Sequence, residues 1–190
     1  MDQEDGYFAV KAARKAIEAE VLGLSPELLF PPSFERESGV FVTINTYPEG
    51  DLRGCIGYPE AVFPLKDALV YSAQSACHDP RFPPLSKKEA EECTVEVTIL
   101  TPSVKMEKSG LPDSIVIGKH GLIMQFGRRR GVLLPQVPVE WGWGPEEFLE
   151  QLCLKTGLPT DAWKLKDAEI FSFEGEIFHE TEPNGIIVRG

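Results

Sequence analysis

The stretch on which the fold turns is Gly39-Val-Phe-Val-Thr-Ile-Asn45, followed by Tyr47-Pro-Glu-Gly-Asp51 and then Leu52-Arg-Gly-Cys-Ile-Gly57. The first run is β-branched and aromatic and reads as a strand. The second carries turn chemistry and the third returns, so together they make an antiparallel hairpin. Strict alternation would place Arg53, Cys55 and Gly57 on one face of the returning strand and Leu52, Ile56 and Tyr58 on the other. The apolar face packs on a core. The other presents a guanidinium beside a thiol, with glycines that let a second backbone or a ligand come close. A neighbouring Arg favours the thiolate and makes Cys55 a candidate nucleophile. The plainer alternative is that Cys55 is a small buried apolar residue and Arg53 pairs with an acid.

Working outward, residues from about Glu4 to Leu22 read as a helix, its small apolar stripe built from Phe8, Ala12, the Lys15 stem, Ala16 and Ala19 or Val21. Gly23 stops it, and the Pro-rich stretch from Ser25 to Ser38 is a surface connection. After the hairpin, Pro64 opens a helix running to about Cys77, with Leu65, Ala68, Leu69, Ser72 and Ala76 facing inward. Ser86-Lys-Lys-Glu89 is a capping box, and Thr94-Val-Glu-Val-Thr-Ile99 alternates as a half-buried strand should. Ile115–Ile117, Leu122–Phe126 and Val132–Leu134 read as a meander, with Arg128-Arg-Arg130 as a solvated turn. Pro145 starts a helix that Gly157 ends, and residues 168–173 and 176–178 are late strands. Strands and helices intermix without a βαβ rhythm. The class is therefore α+β, a largely antiparallel mixed sheet flanked by helices.

Composition narrows the function classes. The 190 residues are 42% hydrophobic with 11 Phe, which excludes disorder, and they suffice for one domain. A net charge of −11 argues against nucleic acid and anionic membranes as partners, yet residues 114–139 hold no acid and four basic side chains. A small anionic or polar ligand therefore stays admissible. No apolar run is long enough to span a bilayer, and the acidic N-terminus is no signal peptide. Four cysteines without a CxxC pair read as reduced thiols of a cytoplasmic protein, and with three His they give no metal site. Cys93 and Cys153 read as core residues.

Two further stretches carry chemistry. In Cys77-His-Asp-Pro-Arg-Phe82, His78 and Asp79 can act as base and orienter, or Asp79 and Arg81 can clamp a polar ligand; the segment equally suits a plain helix end and turn. In Pro135-Gln-Val-Pro138-Val-Glu140-Trp141-Gly-Trp143, the prolines predict an extended segment that holds Gln136 and Glu140 stiffly, with the Trp side chains walling a pocket or covering the core. No GxSxG, Walker A, HExxH or GxGxxG motif is present.

Leu52-Arg-Gly-Cys-Ile-Gly57 resembles the hallmark hexapeptide of the AMMECR family. Asp79-Pro-Arg-Phe82 with Pro84, Val95-Glu-Val-Thr-Ile-Leu100, Gly121-Leu-Ile123, Leu133-Leu-Pro-Gln-Val137 with Glu140, Phe148-Leu149, Lys155-Thr-Gly-Leu158 and Trp163 are similar to family signatures in family order. Pro138 and Thr156 depart from the usual residues. The resemblance spans roughly residues 5 to 182 and implies one domain over 1–190, of two unequal lobes with a cleft between them. It implies no cofactor of the chain's own, and Memo-like or radical SAM proteins as partners. It also places Arg53, Gly54, Cys55, Gly57, Asp79, Arg81 and Gln136 at that cleft. The expected roles are Cys55 as nucleophile or ligand contact, His78 or Glu140 as proton acceptor, Arg53 and Arg81 as anion clamps, and Gln136 as positioner. A non-catalytic adaptor that docks a partner through the same surface is the alternative.

Overall fold

The computed structural model describes residues 2–190. The chain divides into two compact units, one of residues 2–100 with 176–190 and one of residues 101–175.

The first unit begins with α1 (Gln3–Val21), capped by the Asp2 carboxylate on the Asp5 N–H. Its inward stripe is Gly6, Ala9, Val10, Ala13 and Ile17 with Ala12 and Ala16, whereas Lys15 is exposed; the buried face is rotated from the predicted one. The hairpin forms as read, from β1 (Val40–Asn45) and β2 (Leu52–Tyr58), antiparallel. Next come α2 (Leu65–Ala76), α3 (Lys87–Glu92) with its capping box intact, and β3 (Thr94–Leu100). After the second unit, β8 (Gly175–Glu180) and β9 (Ile187–Arg189) complete a sheet ordered β2-β1-β3-β8-β9. Val40, Val42 and Ile44 of β1 and Val95, Val97 and Ile99 of β3 are buried in one core with α1 and α2. The opposite face of the sheet carries Phe41, Thr43 and Asn45 of β1, Cys55 of β2, and Thr94, Glu96 and Thr98 of β3, all half-buried. Period-two alternation thus gives this sheet one sealed face and one accessible, largely polar face.

A buried ion pair ties the late strands to the helices. Arg14 of α1 donates to the Glu180 carboxylate and to the carbonyls of Ala90 and Cys93, while Glu180 also accepts from the Val95 N–H. Each guanidinium nitrogen of Arg14 and each carboxylate oxygen of Glu180 has a partner, as burial requires.

The second unit contains β4 (Val104–Lys105), β5 (Gly121–Phe126), β6 (Arg129–Leu133), α4 (Gln136–Trp141), α5 (Pro145–Lys155) and β7 (Glu169–Phe173). Its sheet is ordered β4-β7-β5-β6 with antiparallel pairs, and Phe148, Leu149, Leu152 and Cys153 of α5 fill the core beside Leu122, Met124 and Ile170. Three expectations change here. Ile115–Ile117 is no strand: the run lies between Pro112 and Gly118 in a series of turns, with Ile115 buried in the core. Arg129 and Arg130 belong to β6 rather than to a solvated turn, and the Arg129 guanidinium donates to the Gly157 carbonyl. The Pro135–Pro138 segment is helical rather than extended. Pro135 sits at the N-cap and Pro138 within the first turn, where a backbone N–H has no intrahelical acceptor to lose.

Candidate functional site

The site is built on a sheet edge. β2 is the outermost strand, and a register shift opposite Ile44 and Asn45 leaves Arg53 without a partner across the ladder, since Asn45 faces Leu52 and Ile44 faces Gly54. A bulge re-aims the side chain of its extra residue. Arg53 accordingly leaves the alternation that would have put it beside the Cys55 thiol. Its Nε donates to Glu89 Oε1 at 2.9 Å and its Nη2 to the Pro83 carbonyl at 2.9 Å, with Phe82 under the guanidinium. Arg53 is 9% exposed and pairs with an acid, the plainer of the two readings. Arg53 and the Ser86 cap together draw the Glu89 carboxyl down to about 2.

Past the bulge, β2 is held on its free edge by the Asp79-Pro-Arg-Phe82 turn. Asp79 Oδ2 accepts from the Cys55 N–H at 2.9 Å, and Arg81 Nη2 donates to the Cys55 carbonyl at 3.3 Å. Edge strands expose such unpaired groups, and here one carboxylate and one guanidinium close both. Asp79 and Arg81 also grip each other: Oδ1 accepts from the Arg81 backbone N–H and Nε, both at 3.0 Å, and Oδ2 from Nη2 at 2.6 Å. Arg81 first, with the Cys55 and Arg81 backbone N–H groups, holds Asp79 well below the usual carboxylate range, against the effect of burial. Asp79 therefore spends both oxygens on the protein itself. Phe82 has two cations over its ring, Arg53 and Arg81, at 5.8 and 5.7 Å from its centroid.

The two glycines of the hexapeptide admit protein. A Cβ on Gly54 would stand 2.4 Å from the Ala76 carbonyl oxygen at the end of α2, and one on Gly57 would meet the Val40 carbonyl at 2.3 Å and the Phe41 ring at 2.5 Å. These close approaches let α2 and β1 seat against β2.

Among the four cysteines, Cys77, Cys93 and Cys153 are buried and Cys55 is half-exposed. Burial pushes the Cys77 thiol up to about 12 and raises those of Cys93 and Cys153. The Cys55 thiol receives a contact from the Thr43 hydroxyl at 3.3 Å, across the β1–β2 pair.

Of the sequence-derived site residues, the structure gathers Arg53, Gly54, Cys55, Gly57, Asp79 and Arg81 around β2. His78 faces α1 instead, its Nε2 2.8 Å from Glu20 Oε1. Gln136 and Glu140 lie in the second unit, four residues apart on α4, and both are exposed. Thr43, Glu89 and the central position of Phe82 were not singled out beforehand. The capping box at Ser86 marked Glu89 as structural, and only the bulge makes it a partner for Arg53.

Comparison with known proteins adds a consistent set of relatives. A family model described as AMMECR1 matches residues 10–178. A protein from Aquifex aeolicus is 50% identical over 187 residues, covering 97% of this chain and 93% of its own length. Protein MJ0810 from Methanocaldococcus jannaschii is 47% identical over 192 residues, covering 98% and 95%. The crystal structure of the uncharacterised protein PH0010 from Pyrococcus horikoshii matches with a TM-score of 0.81 at 43% identity, covering 100% of this chain and 98% of that one.

Proposed function

The chain belongs to the AMMECR1 family, and we propose that it binds a small polar ligand on the accessible face of its five-stranded sheet, with Cys55 as the contacting thiol. The reading covers both a ligand-binding protein and an enzyme whose nucleophile is Cys55. One observation carries it. Cys55 is the cysteine that is not buried, and its peptide group is fixed on both sides by charged side chains, Asp79 at the N–H and Arg81 at the carbonyl. A backbone clamped this way holds a side chain in place for a reacting or binding partner. Asp79 and Arg81 are positioning residues in this reading, and Arg53 secures the turn that carries them by gripping Pro83 and Glu89. Four free thiols suit a reducing compartment such as the cytoplasm. Among the described residues no helix is long and apolar enough to cross a membrane.

Alkylation with iodoacetamide at neutral pH, mapped by peptide mass, tests the reading. Cys55 should be modified well ahead of Cys77, Cys93 and Cys153, and a metabolite screen by thermal shift should return a ligand whose stabilisation is lost in Cys55→Ser. Slow modification of all four thiols alike refutes it.

An adaptor role is favoured by a separate feature. Tyr58, Phe63 and Tyr71 make a run of edge-to-face contacts beside β2, with Val62, Phe63 and Tyr71 all more than a third exposed. The family resemblance points to a Memo-like or radical SAM partner. Such a partner should bind Cys55→Ser as well as the parent and lose affinity with Phe63→Ser.

A further inference from the structure

The accessible face of the sheet carries a second set of groups in register with Cys55. The Cα partner of Cys55 is Thr43, and the partner of Thr43 across the next pair is Glu96. Because the Cys55 N–H and C=O point outward to Asp79 and Arg81, Cys55 and Thr43 form a non-hydrogen-bonded pair, in which side chains lie closest. The Thr43 hydroxyl accordingly reaches Sγ at 3.3 Å. Thr43 and Glu96 then make the wider pair, which sets the Cα atoms of Cys55 and Glu96 about 10 Å apart in one row. The row continues onto β8, the neighbour of β3. Phe178 and Glu180 turn to the buried side, where Glu180 binds Arg14, so His179 between them falls on the face of Glu96.

Two features set this row apart from a solvated strand surface. Glu96 is desolvated enough for its carboxyl to be raised, and the charge that opposes the rise is that of His179. The Nδ1 of His179 is buried and has no hydrogen-bond partner among the described residues. Behind the same strands, Arg14 and Glu180 bind each other and neighbouring backbone groups, so the fold already has its polar tie there.

The charge of the row decides what fits it. Arg53 and Arg81, the cations nearest β2, are each committed to a carboxylate, Glu89 and Asp79. Glu96 makes no ion pair with a Lys or Arg among the described residues, and its titratable neighbour is His179. We propose that Cys55, Thr43 and Glu96 form one binding strip beside His179, and that it takes a small molecule with a protonated amine at Glu96 and a thiol-reactive centre at Cys55. This deepens the proposed function and rests on Cys55 being its contact.

Three symmetric disulfides of different charge test it on the full chain, their intrinsic reactivities removed by a reference thiol: cystamine (cationic), bis(2-hydroxyethyl) disulfide (neutral) and dithiodiglycolate (anionic). In each, the Cys55 thiolate attacks one sulfur, forms a mixed disulfide and expels the other half as a thiolate, the Cys55 proton passing to solvent. Rates at Cys55 are read by peptide mass and divided by those of N-acetylcysteinamide, an uncharged reference thiol. The expected order is cationic over neutral over anionic, with about tenfold between the extremes, as a charge contact in a partly solvated site gives. Glu96→Gln should bring the three within about twofold of one another, and Glu96→Asp should keep the order. Thr43→Val should slow all three alike, and Thr43→Ser should restore them. A flat or inverted order in the parent protein overturns the amine assignment while leaving Cys55 as the contact, and so does an order unchanged in Glu96→Gln. Failure of every probe at Cys55 overturns both proposals.

Discussion

Asp79→Asn is the perturbation that most directly measures the clamp on β2. The carboxylate accepts four hydrogen bonds, two at each oxygen, and at each oxygen one donor is a backbone N–H and the other a guanidinium N–H of Arg81. Whichever oxygen becomes an amide NH2, a donor then faces two donors. If it is Oδ2, the Cys55 N–H loses its acceptor; if Oδ1, the Arg81 N–H does. A charge-assisted bond to one such N–H contributes about 1.5–3 kcal/mol. The ion pair itself adds less than about 1 kcal/mol, because the Arg81 side chain is 55% exposed and solvated. The expected loss is thus about 2–4 kcal/mol, or roughly 5–15 °C in Tm for a chain of this length. Opening of the first unit should rise at least about 25-fold, read as Ellman's-reagent exchange of the buried Cys77 and Cys93 in a Cys55→Ser background. The pH dependence follows from the sign of the shift. Asp79 titrates lower in the folded than in the unfolded chain, so its contribution is complete above the unfolded value of about 4 and is lost as pH falls below it. The gap between parent and Asp79→Asn should therefore be flat from pH 8 to 5 and narrow below about 4. A penalty under about 0.5 kcal/mol at pH 7, or a gap that widens in acid, refutes the reasoning.

Two further substitutions separate the remaining contacts. Arg53→Met removes the first cause of the low Glu89 value, so the Glu89 carboxyl should rise from about 2 toward the ordinary range, the Ser86 cap keeping it somewhat below; carboxyl NMR titration checks this, and an unmoved Glu89 refutes it. Gly54→Ala drives a Cβ to 2.4 Å from the Ala76 carbonyl, whereas Gly50→Ala meets nothing within 4 Å and strains only a left-handed turn residue. Urea melts should show Gly54→Ala losing upward of about 3 kcal/mol and Gly50→Ala about 1 kcal/mol; equal losses would mean that α2 is not seated on β2 by the glycine.

The sheet-forming runs were legible because their alternation answers to one buried face. Val40, Val42 and Ile44, and likewise Val95, Val97 and Ile99, face the core as their pattern demands. Ile115–Ile117 misled for the opposite reason: three apolar residues carry no period long enough to tell a strand from a buried turn. The tandem prolines misled through a rule applied out of position. Proline opposes a helix interior and tolerates a first turn, and Pro135 and Pro138 both stand at the start of α4. The two short strands β4 and β9, of two and three residues, have no local signal; Val104–Lys105 pairs with Ser172 and Phe171, and Ile187–Arg189 with Glu180 and Phe178.

The candidate site was legible by segment and not by geometry. The hexapeptide and the Asp79–Phe82 turn stood out separately, and alternation predicted the wrong neighbour for Cys55. Arg53 would flank the thiol on an unbroken strand, but one bulged residue sends it to Glu89 and leaves Cys55 facing Thr43. A bulge is a property of two strands together, so neither strand announces it. The same holds for the row across the sheet. Glu96 reads as the polar half of an alternating strand, and His179 lies 83 positions later, beyond the second unit. Only the order β2-β1-β3-β8 lines them up with Cys55. The consequence concerns ligand charge. From sequence, two arginines beside a cysteine argue for an anion, but each is bound to its own carboxylate, and the strip proposed above draws its preference for a cation from Glu96 instead.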